Sequence, residues 1–431
     1  MYRKFIEKSI SFEQVKITSK TIDIFLFLAA LALVTGYIII NLVIKPGAGT
    51  GQTDMLLSQR CFDFFGKDMA ETLIREFQER NPELRIRLIN ISTEKNREPD
   101  LLFFDDSEFP DLLRKNALVS LKSYIYTESG AEQFAIPLAS FTDLLFYNIE
   151  LLEAAGFDRP PKTRDEFLAC AKAVAGGGNA AGTALGLSPN DRQALSRDVF
   201  SWIWAAGGSF WLQPETAQTR PDRPVFNNKT GVDVISFLDE LYREGILAPQ
   251  SFTKTGADRL EEFAQGKIAM MSASSRDIPR LREKMGDSAF GITTIPGYSL
   301  PGKNSIALSN IYAGISAGCK DTDNAWSFLV FLAEQNQVLS AGLKAIPGAI
   351  IPGLPSGFSS PGYFNDDPYY SKVREIFESS KTIQGFSGKA QAEEFENIVW
   401  EELQVHFEED RKAEETAVAI QKRWDSLYFR N

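Results

Sequence analysis

The first strong pattern in the chain is an apolar run from Ile24 to Ile44. It holds 21 residues without a charge, and Thr35 and Asn41 are its clearly polar members. A helix of that length, at about 1.5 Å per residue, reaches roughly 30 Å, the depth of a bilayer core. Arg3, Lys4, Lys8, Lys16 and Lys20 precede it against Glu7 and Glu13, and a basic excess keeps that side in the cytoplasm. The run is longer than the apolar core of a cleaved leader, and no small-x-small site or nearby cysteine follows it. The expectation is a cytoplasmic segment over 1–21, a retained transmembrane signal anchor over 22–44 and a flexible glycine-containing linker over 45–54.

Beyond the linker, strand and helix periods alternate. Leu56 to Phe65 reads as an aromatic-rich strand, with Cys61 inside it. Met69, Leu73, Ile74 and Phe77 recur at helical spacing up to Asn81-Pro82. Leu84, Ile86 and Leu88 alternate with Arg85 and Arg87, and Pro99 to Phe104 is a short apolar strand closed by Asp105 and Asp106. Only a short stretch separates these two strands, less than a parallel crossover with its own helix normally needs. Later, Thr163 and Glu166 predict a capping box before Phe167, Ala171 and Val174, and Thr230 predicts the cap of a helix carrying Val234, Ile235, Leu238, Leu241 and Tyr242. Phe290 to Pro296 reads as a strand, and Asp323 opens a helix with Trp326, Leu329 and Leu332. Phe395, Val399, Leu403 and Phe407 predict an amphipathic helix within the acidic run Glu393 to Glu415. Such alternation predicts an α/β protein, a parallel or mixed sheet covered by helices.

At 431 residues the chain exceeds one ordinary core, so two lobes are expected. A net charge of -11 gives no broad attraction to nucleic acid. Cys61, Cys170 and Cys319 are too few and too scattered for a disulfide framework or a zinc site. His406 is the single histidine; it lies in the acidic C-terminal stretch and reads as a solvated surface residue. No nucleophile stands beside a base, so no enzyme, metal or cofactor is expected.

Several segments in order carry a resemblance. Phe134 to Asn148, with its Ile-Pro and Tyr-Asn; Leu151 to Gly156; Pro160 to Thr163; Phe200 to Gly208; Phe263 to Met271; Ile311 to Ala317; and Ala325 to Leu332 together span nearly all of the chain beyond the linker. In that order they resemble the type 1 extracellular solute-binding proteins of ABC importers, the sugar-binding, maltose-binding-protein-like group. The resemblance implies a periplasmic-binding-protein type II fold, two lobes joined by crossing strands and closing on a solute like a flytrap. It also implies partner permease subunits in the membrane and a position on the periplasmic or extracellular side. The first lobe is expected over 55–138 and 294–335, the second over 139–293 and 336–431, in a monomer with no nucleic-acid partner.

Carbohydrate capture needs flat aromatic faces and planar polar groups. Trp204 and Trp211, near Gly207-Gly208, and Phe65 supply candidate faces. Asp105 and Asp106 follow a strand, where open α/β sheets place ligand groups. Asn310 and Tyr312 precede a strand that the family aims at the cleft. Two positions depart from the family: Phe141 stands in the crossover where a relative may place a carboxylate, and Arg276 replaces a stacking aromatic in the loop Ser274-Ser275-Arg276. Arg276 with Ser274 and Ser275 points to an anionic group on the solute. The expected function is thus a tethered receptor for a carbohydrate or an anionic sugar derivative. The alternative is a binding module without transport, a sensor or scaffold with a degenerate cleft.

Overall fold

The computed structural model describes residues 53–62, 67–90, 93–94, 97–124, 134–191, 194–210, 223–298, 305–334, 367–385 and 391–429. The expected cytoplasmic segment, the anchor over 22–44 and nearly all of the linker lie outside them. No helix among the described residues is long and apolar enough to cross a membrane.

The first elements are β1 (Thr53–Ser58), α1 (Lys67–Arg80), β2 (Leu84–Ile89), β3 (Leu101–Asp105) and α2 (Phe109–Arg114). Next come β4 (Ile136–Asn148), α3 (Ile149–Ala154), α4 (Arg164–Gly176), β5 (Ala181–Ala184), α5 (Ser201–Ala205), α6 (Lys229–Arg243) and α7 (Gly256–Ala264). They are followed by β6 (Ile268–Ser274), α8 (Ile278–Met285), β7 (Phe290–Thr293), β8 (Ser305–Ile315) and α9 (Thr322–Glu334). The last are α10 (Pro368–Ser379), β9 (Lys381–Gln384), α11 (Ala392–Glu409) and α12 (Ala413–Tyr428).

One path of strands runs β2-β1-β3-β8-β4-β6-β5, with β7 added to β4 and β9 to β8. β4 changes neighbours along its length. Its first half, from Ile136 to Thr142, pairs antiparallel with β8, with a register slip between Pro137 and Ala139. Its second half pairs with β6, from Asp143 opposite Ser274 to Tyr147 opposite Met270. The core changes at the same place. Ile136, Leu138, Ala139 and Phe141 pack with Leu73 and Phe77 of α1 and Phe328 and Leu332 of α9. Leu144 and Phe146 instead pack with Phe263, Met271 and Phe290. β8 does the same, giving Ile311, Ala313 and Ile315 to the first core and Ile306 to the other.

Local chemistry explains most elements. In β2, Leu84 and Ile86 are buried between exposed Arg85 and Arg87, and both arginines reach Asp54 of the next strand, at 2.8 and 3.2 Å. β1 lies between β2 and β3, so the short Asn90–Asp100 connection passes from one side of β1 to the other. The described residues of that connection carry turns and coil.

Other expectations are corrected. The first strand ends at Ser58, and Cys61 lies after it as a buried core residue. Thr163 does cap α4, accepting from the Glu166 amide at 3.3 Å. The Glu166 carboxylate, however, turns to Arg159 and the Lys162 amide, which hold its pKa down at about 2. The cap of α6 is Asn228, whose side chain accepts from Gly231, rather than Thr230. His406 is not solvated: it is buried, its Nδ1 lies 3.0 Å from the Thr416 hydroxyl, and burial lowers its pKa. It was misplaced because the acidic run folds back on itself. The backbone turns left-handed at Asp410, so α11 and α12 pack together, fastened by Trp424 Nε1 donating to the Phe395 carbonyl at 3.0 Å.

On α11, Glu396 is 8% exposed, and its Oε1 has no hydrogen-bond partner among the described residues. Burial, reinforced by Glu393, pushes its pKa up from 4.5 to about 8. The folded state thus holds a proton that the unfolded chain releases, and stability falls as pH rises from 4.5 through 8. Glu396→Gln removes that slope. The variant and parent should unfold alike near pH 5, while at pH 8.5 the variant should be more stable by roughly 1–3 kcal/mol, as read from urea unfolding.

Candidate functional site

On the side of the first core, the end of β3 and the middle of β8 are locked together. Asp106 is buried; it accepts from the Asn310 amide and from the Tyr312 hydroxyl, the latter at 3.0 Å. Burial raises its pKa while these donors pull it back. Asn310 Oδ1 in turn accepts from the Ser140 hydroxyl of β4 at 2.6 Å. Phe104, Phe109 and Tyr312 stack at centroid distances of 5.4 to 5.7 Å, which seats α2 against both strands. Asp105 sits at the edge of this network and accepts from the Ser107 amide at 2.9 Å. The structure therefore brings Asp105, Asp106, Asn310 and Tyr312 together, with most of their polar atoms already engaged.

On the other side, β6 ends in a tight turn. Ser274 and Asp277 form a capping box, with the Asp277 carboxylate accepting from the Ser274 amide at 3.2 Å. Ser275 is fully buried, and its hydroxyl accepts from the Thr142 amide at 3.2 Å, tying the turn to β4. Arg276 points out of this turn. Its guanidinium lies 4.5 Å from the ring centroid of Phe141, which is itself buried. Successive side chains alternate along a strand, so Asp143 shares its face of β4 with Phe141. Asp143 makes no side-chain hydrogen bond among the described residues, and burial, with Asp198 and Asp277 nearby, raises its pKa to about 6 against the pull of Arg197.

Arg197 belongs to a π-helical turn, Ser196–Phe200, a geometry frequent at functional sites. The next residue anchors it. Asp198 is 1% exposed and pairs at 3.0 Å with Arg259, which is 0% exposed and also donates to the Lys254 carbonyl at 3.0 Å. Gly186, just past β5, makes room for this pair: a Cβ there would meet the Ala194 methyl and lie 2.8 Å from Arg259 Nη2. Arg197 itself is 23% exposed; its Nε is buried without a partner and stands 3.6 Å from Asp198 Oδ1.

Trp204 is almost wholly buried, edge-on to Phe200 and Phe210. It also lines a cavity of about 10 Å³ with Asp143, Ser201, Thr294, Ile295 and Ala307, space for one water. Phe65 and Trp211 lie outside the described residues. Sequence reasoning missed Asp143, Arg197 and Asp277. Asp143 had a signal, being the one charge within the apolar stretch Phe141 to Phe146. Arg197 had none, because a π-helical turn leaves no period to read.

Near the point where β4 changes cores lie Asp143, without a side-chain hydrogen bond among the described residues, the ion-paired Arg197 and the exposed Arg276, beside the buried rings of Phe141 and Trp204. Those are groups for holding a polar solute. No nucleophile–base pair is assembled around them among the described residues.

Comparison with known proteins agrees with this geometry. Residues 90–364 match the family model described as "Bacterial extracellular solute-binding protein". A Deinococcus radiodurans protein named "Probable ABC transporter-binding protein" is 20% identical over 312 residues, 69% of this chain and 68% of that protein. The chain spans about half the length, 47%, of a Brucella abortus binding protein that it matches at 21% identity over 206 residues. Among solved structures, the cyclic α-maltosyl-1,6-maltose binding protein from Arthrobacter globiformis superposes with a TM-score of 0.70 at 16% identity, covering 88% of this chain and 99% of that one. UgpB from Mycobacterium tuberculosis, in complex with glycerophosphocholine, gives 0.67 at 18% identity, over 89% and 99%. These likenesses establish the two-lobed α/β periplasmic-binding-protein fold.

Removing one partner of a buried ion pair strands the other, at a typical cost of about 3–5 kcal/mol. Asp198→Asn should therefore destabilise the chain by about that amount in urea unfolding, whereas the double change Asp198→Leu with Arg259→Met should recover most of it. Equal losses in both variants would mean that the pair does not hold this part of the fold.

Proposed function

The chain belongs to the bacterial extracellular solute-binding proteins, and we propose that it captures a small, oxygen-rich solute between its two halves and hands it to an ABC permease. The observation that carries this reading is the paired change of core in β4 and β8. Two strands that each run through both hydrophobic bodies act as the joint about which such halves turn. The lobe division expected from the sequence moves slightly in this proposal, to between Phe141 and Leu144 in β4 and between Ile306 and Ile311 in β8.

The solute class is a carbohydrate or an anionic sugar derivative. The fold's solved relatives include a protein named for a maltose-containing cyclic sugar and one in complex with glycerophosphocholine. Trp204 would supply an apolar wall, and Asp143 an acceptor for hydroxyls. Arg276, beside Phe141, Ser274 and the turn at Ser275, would reach the solute from the second half, and Asp105 from the first. Asp106, Asn310 and Tyr312 would hold that face in shape. Phe65 and Trp211 remain candidate contacts. Binding rather than catalysis is the activity, by a monomer held at the outer face of the cytoplasmic membrane by residues 22–44. A tether of this kind raises the effective concentration of receptor at the permease.

One observation favours a second reading, a sensor or scaffold that does not transport. The cavity beside Asp143 and Trp204 has room for a water only, so a solute requires the halves to open. A ligand that binds only the folded state raises the melting temperature with its concentration. The full chain in mild detergent should therefore show a concentration-dependent rise in Tm with at least one member of a panel of sugars, polyols and their acidic derivatives. No shift across the panel would favour the scaffold. For the anchor, alkaline carbonate extraction of membranes should leave the chain in the pellet, and its release would indicate a cleaved leader.

A further inference from the structure

The turn between β6 and α8 carries a cation that rests on the other hydrophobic body. On both sides of this turn the chain packs into the core of Phe263 and Phe290, through Ala273 before it and Ile278 after it. The Arg276 guanidinium makes no hydrogen bond among the described residues and lies 4.5 Å from the ring centroid of Phe141. Phe141 packs instead with Leu73, Phe77 and Phe328. The contact therefore spans two cores, at the place where β4 passes from one to the other.

The turn itself is held on the side of its own core. Ser274 and Asp277 close it with a capping box. The buried Ser275 hydroxyl accepts from the Thr142 amide at 3.2 Å, and the Thr142 hydroxyl donates to the Ala307 carbonyl at 3.0 Å. Arg276 thus moves with the second body, and the ring of Phe141 with the first. A cation–π attraction holds within about 6 Å, so from 4.5 Å a parting of about 1.5 Å releases it. The Asp105 carboxylate, at the end of a strand whose Leu101 and Phe103 fill the first core, pulls Arg276 the same way. A contact of this kind at an exposed position shifts a balance only a few-fold, as a fastening that opens in use requires.

We propose that Arg276 is a latch across the joint: resting on Phe141, it favours the disposition of the two bodies seen here, and its release lets them part. This rests on the hinged halves of the receptor reading and adds the side chain that sets their resting balance.

The test measures the distance between the two bodies in the full chain in mild detergent, without solute. Spin labels go on Glu79→Cys in α1 and Ser236→Cys in α6, both exposed, in a Cys319→Ser background because Cys61 and Cys170 are buried. In double electron–electron resonance, Arg276→Gln should lower the population at the parent's main distance about two- to fivefold relative to the rest. Arg276→Lys, which keeps the charge but loses the planar stack, should fall between the parent and the glutamine variant. Phe141→Leu should shift the distribution in the same sense, and adding Arg276→Gln to it should change nothing further, because one partner is already gone. Arg276 is exposed, so its variants keep the fold, and the outcome does not depend on the core change at Phe141. A glutamine variant with the parent's distribution, or shifts that add in the double variant, overturns the latch. Either result leaves the receptor standing, since a solute-dependent rise in Tm does not require a latch.

Discussion

β4 carries two registers, and the placing of every candidate residue follows from the point where one gives way to the other. As far as Thr142 the strand faces β8; from Asp143 onward it faces β6. A strand cannot slip by one residue without turning its whole apolar set to the wrong face. The apolar residues of β4 fill different cores on the two sides of this point. The register is thus fixed from both ends, and the polar pair Thr142 and Asp143 is held where the cores part. Thr142 is tied down by Ser275 and by the Ala307 carbonyl, at 3.2 and 3.0 Å. Asp143 is left without a side-chain hydrogen bond among the described residues, lining the small cavity beside Trp204.

The second support is electrostatic. A guanidinium as deeply buried as that of Arg259 is tolerated only with its charge matched and its donors used. Asp198 matches the charge and, with the Lys254 carbonyl, occupies both terminal nitrogens, while Nε stays buried without a hydrogen-bond partner among the described residues. This draws the loop after β5, the π-helical turn and the start of α7 to one place, at the carboxyl ends of the parallel strands β5 and β6, where α/β sheets bind their ligands. Adjacent residues of the turn then differ: Asp198 points in and pairs with Arg259, while Arg197 is 23% exposed.

Much of this was legible from the residues, and what was not has physical causes. α1 and β2 follow from periods of helix and strand written plainly in Leu73 and Phe77, and in Leu84 and Ile86. Trp204, read as a candidate stacking face, is instead almost wholly buried. The capping residues were less legible, because Thr163 and Thr230 each have competing neighbours: Arg159 draws Glu166 away, and Asn228 reaches Gly231 first. His406 was misread because local acidity says nothing about a helix pairing set by a left-handed turn at Asp410. Within the site, Asp106, Asn310 and Tyr312 were recognisable as a group only by resemblance, and their mutual hydrogen bonds came from the pairing of β3 with β8. Arg197 depends on a buried partner 61 residues further along the chain from its neighbour Asp198, a separation that no local pattern encodes.

The two groups of polar residues, at the β3–β8 pairing and at the end of β6, are chemically unequal. The first group, with Asp106, Asn310, Tyr312 and Ser140, has used its polar groups on one another, so a solute gains little by displacing them. Asp143 and Arg276, by contrast, make no side-chain hydrogen bond among the described residues, and Arg197 has its 3.6 Å pairing with Asp198. Arg276 also feels the Asp105 carboxylate of the first group. In the proposed receptor, one face is thus set before a solute arrives, and the other keeps the groups that can still respond to one.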